Sequence, residues 1–186
     1  MMQMLLNNRY QIIRTLGSGG FGDTFLAEDT QMPSQRRCVI KQLKPIEHNS
    51  QIYQLVQERF GREAAILEEL GGLSEQIPTL YAYFHLKDKF YLVQEWVEGD
   101  TLSTVVQRQG LFSESRAKEI LINILPVLEF VHSKRIVHRD IKPDNIILRG
   151  DGKPVLIDFG AVRETMATVV NSQGSLTRSI VIGTPG

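Results

Sequence analysis

The spacing of apolar residues changes period at Ser50, and this change restricts the fold of the chain more than any other feature. Before it, Tyr10 to Leu16, Gly22 to Glu28 and Arg37 to Leu43 are short β-branched or aromatic runs separated by Gly, Asp or Pro-Ser signals, which predicts three antiparallel strands. After it, Val56, Phe60, Ala64 and Leu67 recur every three or four residues until Gly71-Gly72, so one amphipathic helix follows. Leu80 to Leu86 and Phe90 to Glu95 flank Lys87-Asp88-Lys89, a hairpin that adds two strands. Trp96-Val97-Glu98-Gly99 breaks the pattern, and the remainder turns helical. A short helix fits Leu102 to Gln107. A long one fits Glu114 to Ser133, capped by Ser113, with Ile120, Leu121, Ile124, Leu125 and Leu128 as its apolar stripe. Pro126 inside it forfeits a hydrogen bond and adds a ring clash, about 3 kcal/mol, so a kink is expected there. Strands followed by helices make an α+β chain, with a boundary near Glu98-Gly99 between residues 1–97 and 98–186.

At 186 residues, 42% apolar and 23% charged, the chain can bury a sizeable core. Lysine plus arginine and aspartate plus glutamate both total 21, so no global field recruits nucleic acid or an anionic membrane. The apolar opening Met1 to Leu6 is too short for a signal peptide, and no run approaches the roughly 20 residues that span a bilayer. The expectation is a soluble, cytoplasmic segment. The one cysteine, Cys38, alternates with Ile40 and reads as a small buried hydrophobe on a strand, without a redox role.

The chemistry is concentrated in His138-Arg139-Asp140-Ile141-Lys142-Pro143-Asp144-Asn145 and, one short hairpin later, Asp158-Phe159-Gly160. Phosphoryl transfer requires a carboxylate to receive the acceptor hydroxyl, oxygen ligands for Mg²⁺ and cations against phosphate charge, and these segments supply all three. Asp140 is expected to orient the hydroxyl and take its proton, Lys142 to neutralise the transferring group, and Asn145 and Asp158 to hold the metal. Ile146-Ile147-Leu148, a turn at Asp151 to Pro154, and Val155-Leu156-Ile157 form the hairpin that brings the two metal ligands together. His138 is expected to be a packed, structural histidine.

Leu16-Gly17-Ser18-Gly19-Gly20-Phe21-Gly22 joins the first two strands, where glycines let the backbone approach phosphate oxygens. Asp23 to Glu28 alternates like a strand, which argues against the dinucleotide-binding version of this pattern; a merely flexible hairpin is the other reading. Lys41 lies in a largely apolar strand and needs a partner or a ligand, unless it snorkels to water from a sheet edge. An α/β-phosphate would serve as ligand. Of Glu58, Glu63, Glu68 and Glu69 on the following helix, Glu63 falls beside the apolar face and is the expected ion-pair partner.

With Gly17, Gly19, Gly22, Lys41, Glu63, His138-Arg139-Asp140, Asn145 and Asp158-Phe159-Gly160 in this order, the chain resembles a eukaryotic-type (Hanks-type) protein kinase. Lys142, two residues after Asp140, looks like the serine/threonine subgroup. Tyr91 to Trp96 and Val181 to Gly186 look most like bacterial, particularly cyanobacterial, members. The resemblance implies a bilobal fold: a five-stranded antiparallel N-lobe with one helix, then the first part of a mainly helical C-lobe. It implies ATP and Mg²⁺ as cofactors and proteins bearing Ser or Thr as substrates. Gln94 would be the gatekeeper, and Glu95 to Val97 the hinge whose backbone binds adenine. Thr24 stands where the family usually has valine over adenine, and would still line the pocket.

The resemblance also implies that the family domain continues beyond Gly186, so the stripe of the long helix is expected to be partly exposed. Thr165, Thr168, Ser172, Ser175, Thr177 and Ser179 fall in a polar stretch resembling an activation loop, where phosphate could pair with Arg139; self-association for autophosphorylation is a further implication. Three functions stand: a serine/threonine kinase, a nucleotide-binding module without efficient catalysis, and a small-molecule phosphotransferase. The last is disfavoured by Lys142 and the full His-Arg-Asp segment.

Overall fold

A computed structural model describes residues 5–19, 22–44, 50–161 and 163–164. Five strands come first or flank one helix: β1 (Tyr10–Gly19), β2 (Gly22–Asp29), β3 (Arg37–Leu43), α1 (Ser50–Leu70), β4 (Leu80–Leu86) and β5 (Lys89–Glu95). They form one antiparallel sheet in the order β1-β2-β3-β5-β4. Period-two alternation gives this sheet two unlike faces. Cys38 and Ile40 of β3 join Tyr10, Ala27, Tyr91 and Val93 in an apolar cluster on one face, where the rings of Tyr10, Phe84 and Tyr91 stack in succession. Cys38 is fully buried there, and burial pushes its thiol up to about 11, which leaves it a protonated hydrophobe. Val39 and Lys41 point to the opposite face.

That second face is covered by α1, whose Ala64, Leu67 and Leu70 are buried in the larger core. At the helix end Gly71 donates to the Leu67 carbonyl, and a Cβ there would lie 2.8 Å from the Pro78 carbonyl, so the turn into β4 leaves room only for glycine.

The chain continues through β6 (Gly99–Thr101), α2 (Leu102–Gln109), α3 (Glu114–Ser133), β7 (Ile136–Val137), a 3₁₀ turn (Pro143–Asn145), β8 (Ile146–Arg149), β9 (Pro154–Leu156), a second 3₁₀ turn (Phe159–Ala161) and β10 (Arg163–Glu164). β6, β8 and β9 form a small antiparallel sheet, and β10 pairs with β7. The Ser113 hydroxyl accepts from the Arg116 amide at 3.2 Å, the cap expected from the sequence. Thr101 caps α2 in the same way. The α3 helix is continuous through Pro126. Its expected stripe divides: Ile120 and Ile124 enter the core and Leu128 packs partly buried against it, whereas Leu121 and Leu125 are both 60% exposed, and Val127 and Val131, outside that stripe, are buried as well. Among the described residues, no helix is long and apolar enough to cross a membrane.

Candidate active site

Lys41 is placed by strand alternation and by register, opposite Thr24 on β2 and Leu92 on β5. Its face of the sheet looks toward α1, and Glu63, only 4% exposed, meets it from the buried side of that helix. The Lys41 Nζ lies 2.5 Å from Glu63 Oε1 and 3.5 Å from Asp158 Oδ1. One cation therefore joins three elements distant in sequence. Burial opposes the charge on Lys41, but Glu63 and Asp158 outweigh it and hold the ammonium above its ordinary value. Burial likewise pushes the Glu63 carboxyl up, against the pull of Lys41.

Asp158 is presented from a left-handed backbone (φ 63°), a conformation Asp tolerates better than most residues, and its Oδ1 accepts from the Gly160 amide at 3.4 Å. The next side chain, Phe159, is fully buried in the core with Leu67 and Ile77 and stands edge-on to His138, centroids 4.8 Å apart. Packing of Phe159 thereby fixes where Asp158 emerges.

A second cluster forms around Asp140. Its Oδ2 accepts from Asn145 Nδ2 at 2.8 Å and pairs with Lys142 Nζ at 2.8 Å, and Asn145 Nδ2 also donates to the Asp140 carbonyl at 2.9 Å. The Lys142 ammonium, with Asn145 assisting, holds the Asp140 carboxyl below the usual carboxylate range, and Asp140 in turn raises Lys142. The two clusters are linked by the β8–β9 hairpin: Ile146 pairs with Leu156, and the Ile157 amide donates to the Asn145 carbonyl at 2.9 Å. Asn145 and Asp158 thus flank the same short hairpin.

His138 is buried and packed. Its Nδ1 accepts from the Asp140 amide at 3.3 Å and its Nε2 meets the Ile157 carbonyl at 3.0 Å. An amide can only donate and a carbonyl only accept, so the ring is the neutral tautomer protonated at Nε2. Burial lowers its pKa, in keeping with that assignment. The bond from the Asp140 amide spans Arg139, whose φ of 67° is costly for a long side chain, and the bond to Ile157 anchors the ring that holds this turn.

The glycine-rich hairpin shows different reasons for its glycines. A Cβ on Gly22 would stand 2.0 Å from the Gln42 carbonyl, so close approach of β3 dictates glycine there. Among the described residues, nothing lies within 4 Å of a Cβ on Gly17 or Gly19. Leu16, at an irregularity in the β1–β2 register, is half-buried. Ser18 donates to Asp23 Oδ1 at 2.6 Å, and Lys44 neutralises the other oxygen of that carboxylate at 2.6 Å. Gly20 and Phe21 lie outside the described residues, as do Thr165, Thr168, Ser172, Ser175, Thr177 and Ser179.

At the end of β5, Gln94 is 5% exposed and its Oε1 has no hydrogen-bond partner among the described residues. The Glu95 amide donates to the Thr79 carbonyl at 2.9 Å and its Oε2 accepts from the Thr79 amide, so the amide is already committed. Val97 is buried. A recess of about 510 Å³ between α1 and β4 is lined by Gly61, Ala64, Glu68 and Tyr83 among others, and Lys41, Glu63, Asp140, Lys142, Asn145 and Asp158 are not part of its lining.

Residues 10–183 match the family profile described as the protein kinase domain. The chain belongs to the protein kinase domain family. In its terms, the five-stranded sheet with α1 is the N-lobe, and α2, α3 and the small sheets begin the C-lobe. Similar kinases include the serine/threonine-protein kinase PknA of Nostoc sp., 74% identical over 186 residues that make up 100% of this chain and 33% of that protein. Serine/threonine-protein kinase C of Synechocystis sp. is 61% identical over 183 residues, 98% of this chain and 34% of its own length. PrkC of Bacillus subtilis is 32% identical over 175 residues, covering 94% and 26% respectively. The chain spans about a third of the length of the two cyanobacterial relatives.

The sequence contained no signal for three further features of this kinase domain. Asp29, fully buried, takes Arg9 Nε and Nη2 at 2.8 and 2.7 Å, a pairing across twenty residues with no motif attached. The orphaned oxygen of Gln94 depends on what surrounds it. Gln76 bridges α3 and β9, contacts that exist only once those elements have packed.

Proposed function

We propose that this chain binds Mg·ATP between its two lobes and transfers the γ-phosphoryl group to serine or threonine hydroxyls of proteins. The observation carrying this reading is the convergence of Lys41, Glu63 and Asp158 beside an Asp140–Lys142–Asn145 cluster, the two joined through one hairpin. In this reading residues 1–97 and 98–186 act as the two lobes. Leu16 to Gly22, with Thr24, cover the nucleotide, and Glu95 to Val97 offer backbone groups to adenine. Glu63 holds Lys41 in position for the α/β-phosphates.

The donor set suits Mg²⁺. Asn145 spends its amide N–H groups on Asp140, leaving its side-chain oxygen for a metal, and the Asp158 side chain is 46% exposed. Among the described residues there is no group of three or more His, Cys, Asp or Glu able to hold a metal. One carboxylate and one amide, completed by phosphates and water, is the usual provision for Mg²⁺. When bound, the ion would offset charge on the phosphate oxygens.

Asp140, kept ionised by Lys142, orients the acceptor hydroxyl by accepting its proton in a hydrogen bond. Its lowered pKa makes it a weak base, which suffices for a loose transition state in which the proton moves late. Lys142 places positive charge between that carboxylate and the transferring group. The cytoplasm, which supplies ATP, is the compartment this implies, and the hydroxyls between Thr165 and Ser179 are candidate acceptors for phosphorylation of one copy by another. Purified chain incubated with radiolabelled ATP, Mg²⁺ and a protein acceptor should label that protein, and Asp158→Ala should abolish the label. Nucleotide uptake with no transfer would refute catalysis by this chain.

A further inference from the structure

Gln76 lies in the loop between α1 and β4. Its side-chain Nε2 donates to the Asn123 carbonyl of α3 and to the Pro154 carbonyl of β9, both at 2.8 Å. Its own carbonyl accepts from the Leu156 amide at 2.9 Å. One residue therefore brackets Pro154–Leu156 with main chain and side chain together, and Asp158 follows two residues later. The loop is itself held, because Ser74 accepts from Gln76 through its hydroxyl and from Ile77 through its carbonyl, both at 3.2 Å. Ile77 is then buried in the core.

Besides the pairing of this strand with β8, the residue that follows it is held by Asn145, which takes the Ile157 amide, and by His138, which meets the Ile157 carbonyl. Gln76 brings in the opposite lobe, at the exit of the helix that carries Glu63. An amide suits the place, since two N–H donors meet two carbonyls without burying a charge. A carboxylate would repel both acceptors, and a hydrocarbon would leave them without this donor.

We infer that Gln76 is a positioning residue for Asp158: it ties the exit of the Glu63 helix to the strand that presents Asp158, and so sets the spacing of Lys41, Glu63 and Asp158. This deepens the reading above and rests on its assignment of Asp158 to the metal. The consequence is specific. Loss of Gln76 weakens the metal-dependent part of nucleotide binding and leaves the metal-free part intact.

The test is calorimetric titration of the folded chain with ATP, with and without Mg²⁺, for wild type, Gln76→Met and Gln76→Asn. For Gln76→Met the metal-free affinity should stay within about twofold, while the tightening produced by Mg²⁺ falls about tenfold, the factor equivalent to one positioning hydrogen bond. Gln76→Asn, whose amide sits one carbon short, should fall between. Lys153→Ala removes the adjacent exposed pair with Glu75 and should leave the metal increment unchanged. Amide exchange at Leu156 and Ile157 should rise about tenfold in Gln76→Met while Ile40 and Val93 keep their protection. An unchanged metal increment in folded Gln76→Met, or an equal loss with and without metal, overturns the assignment. So does unchanged exchange at Leu156 and Ile157, whether or not nucleotide binds. A wild-type chain that takes up no nucleotide refutes the kinase reading instead.

Discussion

Replacing Lys41 by Met and Glu63 by Leu, singly and together, separates what the buried ion pair does for stability from what it does for nucleotide. Breaking a fully buried pair by removing one partner costs about 3–5 kcal/mol, because the survivor is left charged without compensation. The geometry here lowers both values. After Glu63→Leu, Lys41 retains Asp158 at 3.5 Å and its side chain is 20% exposed, so the expected loss is about 1–2 kcal/mol. After Lys41→Met, Glu63 remains buried but can take up a proton, since burial already pushes its carboxyl up; about 2–3 kcal/mol is expected. At roughly 2–4 °C per kcal/mol for a chain of this size, the Lys41→Met transition should fall by about 4–12 °C. The double variant replaces two charges by two hydrocarbons of similar length and should recover most of that, a coupling of about 1–3 kcal/mol. Lys41→Met also gains a pH signature. A carboxyl whose folded pKa is raised contributes stability below its unfolded value and loses it as pH rises through the folded one, so this variant should be most stable in mild acid. Thermal unfolding by circular dichroism across pH, with Mg·ATP titration of each protein, reads all of this. Binding should be weakened in both variants lacking Lys41 even where stability returns. If the double variant is as unstable as the sum of the singles, the two charges are not coupled and the reasoning fails.

The glycine-rich hairpin should divide cleanly. Gly22→Ala should destabilise the fold by about 1–3 kcal/mol, because its Cβ would collide with the Gln42 carbonyl, whereas Gly17→Ala and Gly19→Ala should leave urea unfolding unchanged and weaken Mg·ATP binding. His138, whose pKa is depressed by burial, contributes stability that is complete above its unfolded value near 6.5 and is lost as pH falls through the folded value; His138→Phe should remove that part of the pH dependence. Asp29, held below the usual carboxylate range by the Arg9 guanidinium, contributes above an unfolded value near 3.8 and loses that contribution as pH falls. Asp29→Asn should cost about 2–3 kcal/mol at neutral pH and flatten acid unfolding followed by circular dichroism.

Local periodicity made several elements legible almost residue for residue. β3, β4 and α3 begin and end where alternation, turn residues and the Ser113 cap place them, and α1 stops where Gly71-Gly72 interrupts its apolar spacing. β1 runs past Leu16 to Gly19 because the glycine hairpin continues to pair as far as Gly22, and β2 runs one residue past Glu28 because Asp29 pairs with Tyr10. Glu63 was separable from Glu58, Glu68 and Glu69 because Ala64 and Leu67 mark the buried face of its helix. What Gly22 is needed for was not legible, since the sequence suggests phosphate and the structure shows the carbonyl of a neighbouring strand.

The amino-acid order alone determined the main succession of strands and helices and the inventory of groups proposed here for phosphoryl transfer, because both are written within short stretches of consecutive residues. Only the packed structure decided that Arg9 covers Asp29, that both nitrogens of His138 are committed, and that Gln76 reaches α3 and β9. Those partners lie 20, 19, 47 and 78 residues apart, apart from the Asp140 amide two residues from His138. A hydrogen bond across such a separation leaves no periodic trace, and it forms only where the cores on either side have already brought the two backbones together.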